Sequence, residues 1–348
     1  MTTPSALVKA STVNAASATK KLLSGKGKAI LFATVILFAV SPVIAPGSLQ
    51  SAPVLSMLPF AAVLAIAAIG QTLVIQQRGL DLSVPGMIAL AAVLVTGLPQ
   101  NNGWPLWAGI VAAVIVPGMV GGLNGYLVAR FQIMPLVVTL GTNTVLLGTV
   151  FSIANGTPAG ASAALNQWTL ERTLGVPNTA AVALVVVLLA ALVTQRSTVG
   201  WRLTAVGVSE RTASAIGIRV PKYQIFAYGF AGLCYGAAGT LLAGYIKTPA
   251  LFLGDSYLLP TVAAVVLGGT ALTGGLISVI STGIAALFLT QLSQILRAVG
   301  WPDSSQLIAQ SVVLITVVLA REFVPVAIRA VKASQRRSRS REPAGAAA

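Results

Sequence analysis

Apolar runs of about the length needed to cross a bilayer recur along this chain at close spacing, and they restrict the fold more than any other feature. The first covers residues 29–45, and further runs follow at 54–77, 80–98, 104–129, 135–154, 177–195, 223–246, 257–273, 276–296 and 303–320. An α-helix needs about 20 apolar residues to span the hydrocarbon core. The sequence therefore predicts an all-α membrane protein with about ten transmembrane helices.

The composition excludes a water-soluble fold. Hydrophobic residues make up 56% of the chain and charged residues only 8%, whereas soluble domains carry about 25% charged residues. The net charge of +15 would indicate a nucleic-acid partner in a soluble protein. Here the basic residues lie in the two tails and in short connections, which is typical of membrane flanks. We expect a lipid bilayer around the chain and no nucleic acid.

The positions of the basic residues predict an orientation. With ten spans and both termini inside, 19 of the 22 Lys and Arg residues fall on the inside, and only Arg172, Lys247 and Arg297 fall outside. Membrane proteins show this excess of positive charge on the cytoplasmic side. A basic region before an apolar run is also typical of a secretory signal, but its length and the many later spans favour an uncleaved first helix. The predicted organisation is a disordered basic tail at 1–28, a membrane domain at 29–320 and a basic tail at 321–348.

Two connections are long enough to contact partners. The inner connection 196–222 includes a segment that predicts a short helix, with Ser209 as its N-cap and Gly217 at its end. Such a helix at the membrane surface is typical of a docking element for a cytoplasmic partner, although a solvated basic loop explains the same residues. The candidate coupling residues are Ser209, Glu210, Ala213, Ile216 and Gly217. The outer connection 155–176 is polar and near neutral, as expected of a partner contact or of an ordinary exposed loop.

The segment between the second and third apolar runs carries the candidate gate or turn residues, which are Arg78, Gly79, Asp81 and Ser83. Ionisable groups next to membrane spans are costly and are commonly paired or functional. We expect Asp81 to cap a helix start and to pair with a base; direct contact with a solute or a partner is the alternative. Pro and Gly residues in this and other runs, including Pro117 and 268–275, indicate broken or re-entrant helices.

Polar side chains within the runs suggest a path for an uncharged solute. The candidates are Gln71, Thr72, Asn124, Thr139, Thr142 and Asn143. Hydrogen bonding between helices explains the same residues, particularly beside glycines at G-x-x-x-G spacing, as in the pairs Gly118 and Gly122, Gly121 and Gly125, and Gly232 and Gly236. The chain has no histidine, a single cysteine and no G-x-x-x-x-G-K-[ST] phosphate loop. We therefore expect no enzyme activity, catalytic residue, metal or cofactor.

Four motifs in order give the chain a family resemblance. They are GQTLVI and GLDLSV at 70–84, GGLNG at 121–125 with P…TLGT at 135–142, GWR and AVG at 200–207, and AAVVLGGTALTGG at 263–275. Together they resemble the ribose-type sugar permeases of bacterial ABC importers, which are related to branched-chain amino acid permeases. The family usually has glycine where this chain has Arg78 and Pro85.

The resemblance implies an ABC importer permease architecture in the bacterial inner membrane, with both termini inside. It implies two cytoplasmic ATP-hydrolysing subunits, a second permease subunit and an extracytoplasmic solute-binding protein as partners. It also implies that 196–222 is the coupling loop to the ATPase and that a monosaccharide is the solute. Branched-chain amino acids or nucleosides are the alternative solutes. An ion-coupled secondary transporter is a further alternative, although the chain lacks the mid-span acids that ion coupling needs.

Overall fold

The computed structural model describes residues 25–302, 304–313, 315–316 and 319. The predicted tails at 1–28 and 321–348 lie outside this part of the chain, except that residues 25–28 belong to the first helix.

Helices account for nearly all of the described structure. They are α1 Gly25–Ile44, α2 Ser51–Gln76, α3 Val84–Asn102, α4 Leu106–Phe131, α5 Pro135–Ile153, α6 Ala163–Leu170, α7 Asn178–Arg196, α8 Thr198–Val208, α9 Glu210–Ala215, α10 Val220–Ile246, α11 Leu258–Leu267 and α12 Val279–Ala298. Residues 304–313 are also helical. The prediction of a helical membrane protein is confirmed.

Among the described residues, seven helices are long and apolar enough to cross a membrane, namely α2, α3, α4, α5, α7, α10 and α12. The apolar part of α1 is shorter, Lys28–Ile44, and the last predicted span is described only in part. The count of about ten spans and the orientation with both termini inside therefore stay predictions.

The predicted span at 257–273 is wrong as a continuous helix. Only a 3-10 turn, Asp255–Tyr257, and the ten residues of α11 are helical there. Gly269, Gly274 and Gly275 have φ angles of 102°, 84° and 94°, which glycine adopts readily and a helix does not. The predicted break at Pro117 is also wrong, because α4 continues through this residue.

Close packing of α4 against α10 forms the tightest helix pair. A Cβ atom added at Gly121 would lie 2.2 Å from the carbonyl oxygen of Tyr228, and one at Gly232 would lie 2.1 Å from the carbonyl oxygen of Pro117. Small residues at such positions let helix backbones approach each other. The G-x-x-x-G prediction is confirmed for the pair Gly121 and Gly125 and for the pair Gly232 and Gly236. In the pair Gly118 and Gly122, by contrast, Gly122 has no atom within 4 Å of an added Cβ.

The centre of the bundle is α2, which packs against α10, α12, α7 and α11. In contrast, α4, α5 and α7 expose large apolar side chains such as Met119, Val145 and Leu188. An exposed apolar face this extensive requires lipid or another membrane subunit around it.

The connection 155–176, predicted to lie outside, is structured. It contains α6, whose N-cap Ser162 accepts a hydrogen bond from the amide of Leu165, and a two-stranded antiparallel hairpin of β1 Arg172–Thr173 and β2 Val176–Pro177. The chain is therefore not entirely α-helical.

Candidate functional site

The connection between α2 and α3 is a tight turn at 77–78 followed by a non-helical segment at 79–83. Arg78 has a φ of 64°, in the left-handed region that glycine occupies without strain and other residues rarely adopt. Gly79 leaves no room for a side chain, since an added Cβ would lie 2.2 Å from the Tyr228 hydroxyl. Residues 79–83 are not helical, and α3 starts at Val84 with Pro85 in its first turn, where proline is well tolerated. The predicted broken start of this helix is confirmed.

Asp81 is buried in the non-helical segment 79–83 and stabilises the conformation of this segment. Its Oδ1 accepts hydrogen bonds from the Ser83 amide at 2.8 Å and from the Ser83 hydroxyl at 2.5 Å. The capped amide therefore belongs to the residue before the helix. Within the described part of the chain, Asp81 Oδ2 has no hydrogen-bond partner, and Arg78 bonds α8 instead. The expectation that Asp81 pairs with a base is wrong for these residues.

A hydrogen-bonded chain connects this segment to α4 and α5. The Asn124 side-chain amide donates to the Ser83 hydroxyl at 3.2 Å, and the Thr142 hydroxyl donates to the Asn124 Oδ1 at 2.6 Å. Ser83 in turn donates to Asp81. Three elements far apart in sequence are thus joined at the break by neutral hydrogen-bonding groups and one carboxylate.

Two further side chains of α5 satisfy the backbone of the break. The Thr139 hydroxyl accepts from the Leu82 amide at 3.0 Å, and the Asn143 Oδ1 accepts from the Gly86 amide at 2.8 Å. These amides lack partners in their own segment because Leu82 lies outside a helix and Gly86 lies in the first turn of α3, where amides have no intrahelical acceptor. Thr139 is buried, whereas Thr142 and Asn143 are half-buried.

Gln71 and Thr72 lie deeper along α2 and connect helices. The Tyr235 hydroxyl donates to Gln71 Oε1 at 2.8 Å. Thr72 donates to the Ala68 carbonyl at 2.7 Å and lies 3.4 Å from the Thr282 hydroxyl. Both side chains are fully buried, so in this conformation they pack the bundle and do not face a channel.

Several buried polar atoms around the break have no hydrogen-bond partner. They include Asp81 Oδ2, Gln71 Nε2 and the Tyr228 hydroxyl. A buried polar group without a partner costs about 1–3 kcal/mol, so these atoms are available to bond a water molecule or a bound solute.

The predicted coupling helix is confirmed as a structure. Ser209 is its N-cap and accepts a hydrogen bond from the Thr212 amide at 3.2 Å, and Gly217 has a φ of 82° just after the helix end. Ala213 is 1% exposed and Ile216 is 59% exposed. Glu210 Oε1 accepts from the Gln224 side chain at 3.0 Å, which ties the helix to α10.

The turn after α2 is bonded directly to α8, next to this helix. Arg78 Nε donates to the Gly207 carbonyl at 3.0 Å, and a second guanidinium nitrogen donates to the Val208 carbonyl. A cation at these carbonyls also suits the negative end of the α8 dipole. The loop 268–275 joins the same place, because the Gly275 amide donates to the Gln76 carbonyl at 3.0 Å.

Sequence reasoning missed two residues of this contact. Gln76 donates to the Thr204 hydroxyl, and Gln77 donates to the Leu203 carbonyl, each at 3.0 Å. The available signal for this contact was three consecutive side-chain donors, Gln76, Gln77 and Arg78, at the end of an apolar helix. Their partners lie more than 120 residues away, and no local pattern points to them.

No group of three or more His, Cys, Asp or Glu residues able to hold a metal occurs within the described ranges. The side chains at the break can exchange hydrogen bonds with an uncharged solute or with one another.

Comparisons with known proteins agree with this arrangement. Residues 54–319 match a family model described as the branched-chain amino acid transport system permease component. The ribose import permease protein RbsC of Bacillus subtilis is 30% identical over 82% of this chain and 89% of its own length, and that of Escherichia coli K12 is 31% identical over 83% and 91%. The autoinducer 2 import system permease protein LsrD of Yersinia pseudotuberculosis is 30% identical over 74% and 79%. No solved structure matches the chain.

Proposed function

The chain belongs to the family described as the branched-chain amino acid transport system permease component, and from that premise we propose that it is the membrane subunit of an ATP-driven importer for a monosaccharide. It is a multi-pass protein of the bacterial inner membrane. Its relatives include permeases named for the import of ribose and of autoinducer 2.

The observation that carries the choice of solute class is the buried hydrogen-bonding network at the break between α2 and α3. Asn124, Thr142 and Ser83 form it with Asp81 as its sole acid. Hydroxyl and amide groups can replace the water around a sugar hydroxyl without trapping ions. A free amino acid carries both charges and would need a base as well as an acid, which this network does not offer. A monosaccharide therefore suits the site better than a branched-chain amino acid.

The half-buried Thr142 and Asn143 are the candidate path residues that a solute reaches most readily. Gln71, Thr72, Asn124 and Thr139 are buried and would meet the solute only after the helices separate. In our proposal, alternating access opens the segment at 77–83, and the unpartnered Asp81 Oδ2 and Tyr228 hydroxyl then bond the passing solute.

The energy for this opening comes from partner subunits. A separate ATPase docks on α9 and the adjoining residues of 196–222, with Ala213 holding the helix to the membrane domain and Ile216 facing outward. The contacts of Gln76, Gln77 and Arg78 with α8 then carry movement of the coupling loop to the gate. A second permease subunit covers part of the exposed apolar surface, and a solute-binding protein delivers solute outside.

A thermal-shift screen of the cognate binding protein tests the solute class. We expect its melting temperature to rise with one or a few monosaccharides. Stabilisation by branched-chain amino acids or nucleosides, with no response to sugars, would replace the proposed solute while leaving the permease role in place.

Cysteine labelling tests the orientation. The cysteine of the natural chain, Cys234, is buried, so it gives little background. We expect Gly160→Cys to react with an impermeant thiol reagent in intact cells and Val208→Cys to react only after the inner face is opened. The reverse pattern would overturn the orientation with both termini inside.

A further inference from the structure

A cavity lies beside the coupling helix, away from the network at the break. Its volume is about 610 Å³, and its lining consists of cationic, aromatic and apolar side chains: Trp201, Arg202, Ile216, Gly217, Ile218, Arg219, Lys222 and Tyr223. We call it the basic cavity. Nothing in the coupling role requires such a cavity.

The charge in the basic cavity has one sign. Arg202, Arg219 and Lys222 line it, and none of the lining residues is acidic. Arg202 donates to the hydroxyl of Tyr223 at 3.0 Å, a neutral partner. Glu210 in the neighbouring helix bonds Gln224. Three cations around one cavity favour a bound anion, and Arg and Lys are the usual donors to phosphate.

The basic cavity also lies at the level of the membrane surface. Helix α7 ends at Arg196 and α10 begins at Val220, so Lys222 and Tyr223 lie in the first turn of a spanning helix. Trp201 is 62% exposed on α8. Trp and Tyr are enriched where lipid headgroups meet the hydrocarbon.

We propose that the basic cavity binds the headgroup of an anionic phospholipid. The cations contact the phosphate, while Trp201 and Ile218 provide apolar surface for the glycerol backbone and the upper acyl chain. Free inorganic phosphate would use only the cations, and an acidic segment of the ATPase would not need an aromatic side chain at headgroup level. Basic pockets beside membrane helices on the cytoplasmic side hold anionic headgroups in this way. The choice of leaflet rests on the proposed orientation, but binding itself requires neither solute nor ATP.

Native mass spectrometry of the full chain in detergent tests the proposal, with equal amounts of phosphatidylglycerol and phosphatidylcholine added. The test variant is Arg219→Gln with Lys222→Gln. The control is Arg130→Gln with Arg196→Gln, which removes the same charge from exposed positions at the ends of α4 and α7. We expect wild type and control to retain phosphatidylglycerol over phosphatidylcholine by about tenfold, and the test variant to lose most of this preference.

Further arms exclude other occupants and a folding defect. The charge-preserving variant Arg219→Lys with Lys222→Arg should keep the preference, and Lys222→Gln alone should reduce it if the double variant does not fold. Equal retention by test and control variants would overturn the proposal. So would displacement of the lipid by millimolar inorganic phosphate. Failure of sugar uptake would contradict the proposed function and leave this result intact.

Discussion

Arg78 illustrates how one side chain can hold two distant segments together at the expense of local backbone preference. Its left-handed conformation, with φ of 64°, costs about 1–2 kcal/mol for a residue with a Cβ. Its guanidinium bonds the last two carbonyls of α8, and hydrogen bonds from charged groups contribute about 1.5–3 kcal/mol each. Because Arg78 is exposed, water weakens these bonds; they offset the backbone strain, and arginine can therefore stand where the resembling family usually has glycine.

Arg78→Gly should relieve the strain and remove both bonds. We expect the variant to insert and fold but to import solute about three to ten times more slowly, since the gate is no longer tied to α8. Arg78→Lys should restore part of the rate because it keeps the charge and one donor. Uptake by Arg78→Gly at the wild-type rate, with equal amounts in the membrane, would show that this contact has no role in coupling.

Asn124 connects the break to α5 by donating to Ser83 and accepting from Thr142. Asn124→Leu should lower the free energy of unfolding by about 1–3 kcal/mol because it removes the acceptor of the Thr142 hydroxyl and one donor to the buried Ser83 hydroxyl. Thermal melting of the purified protein measures this loss. Thr144→Val is the matched control, since Thr144 bonds only to Leu140 within its own helix. Equal melting temperatures for the two variants would show that the network is not stabilising.

At the scale of helices, the contact between α4 and α10 offers a test with a built-in control. Gly121 faces the Tyr228 carbonyl, whereas the neighbouring Gly122 faces open space. Gly121→Val should separate the helices and destabilise the fold by about 1–3 kcal/mol. Gly122→Val should melt near the wild-type temperature. Similar effects of the two substitutions would contradict the described helix pairing.

The coupling helix provides a second comparison of adjacent residues. Ala213 is buried and Ser214 is exposed. Ala213→Glu places a charge where no partner is available, and we expect it to displace α9 and reduce uptake to near background while the membrane domain still inserts. Ser214→Glu should retain substantial uptake. Uptake by both variants at the wild-type rate would exclude α9 as the coupling element.

The sequence predicted these two features well because their signals are local or spatially simple. Ser209 and Gly217 were predicted as cap residues from the residues next to them in the sequence. Glycines four residues apart lie on the same face of a helix, so their spacing predicts a contact face. The helix predicted at 257–273 failed because hydropathy does not distinguish a continuous helix from a half helix followed by glycine turns. The bonds of Gln76 and Gln77 to α8 could not be predicted, since only the fold brings these segments together.

At the scale of the whole molecule, the apolar runs correctly indicated a membrane protein, and the motifs correctly indicated its family. Neither could show that Arg78 bonds α8 instead of Asp81. Nor could they show that Thr139 and Asn143 bond the backbone of the break, or that Asn124 and Thr142 bond each other. The resulting molecule has a central helix, α2, whose C-terminal end and following turn are bonded to α8. The break that follows is bonded to α4 through Ser83 and Asn124. In the proposed function, these contacts connect the coupling loop to the break.

The most direct test of the importer role is solute uptake into proteoliposomes that contain this permease, its ATPase and the solute-loaded binding protein. We predict that solute accumulates only when hydrolysable ATP is supplied on the ATPase side, and that ionophores which collapse proton and sodium gradients leave the rate unchanged. Accumulation driven by an ion gradient without ATP would contradict the account and identify the chain as a secondary transporter.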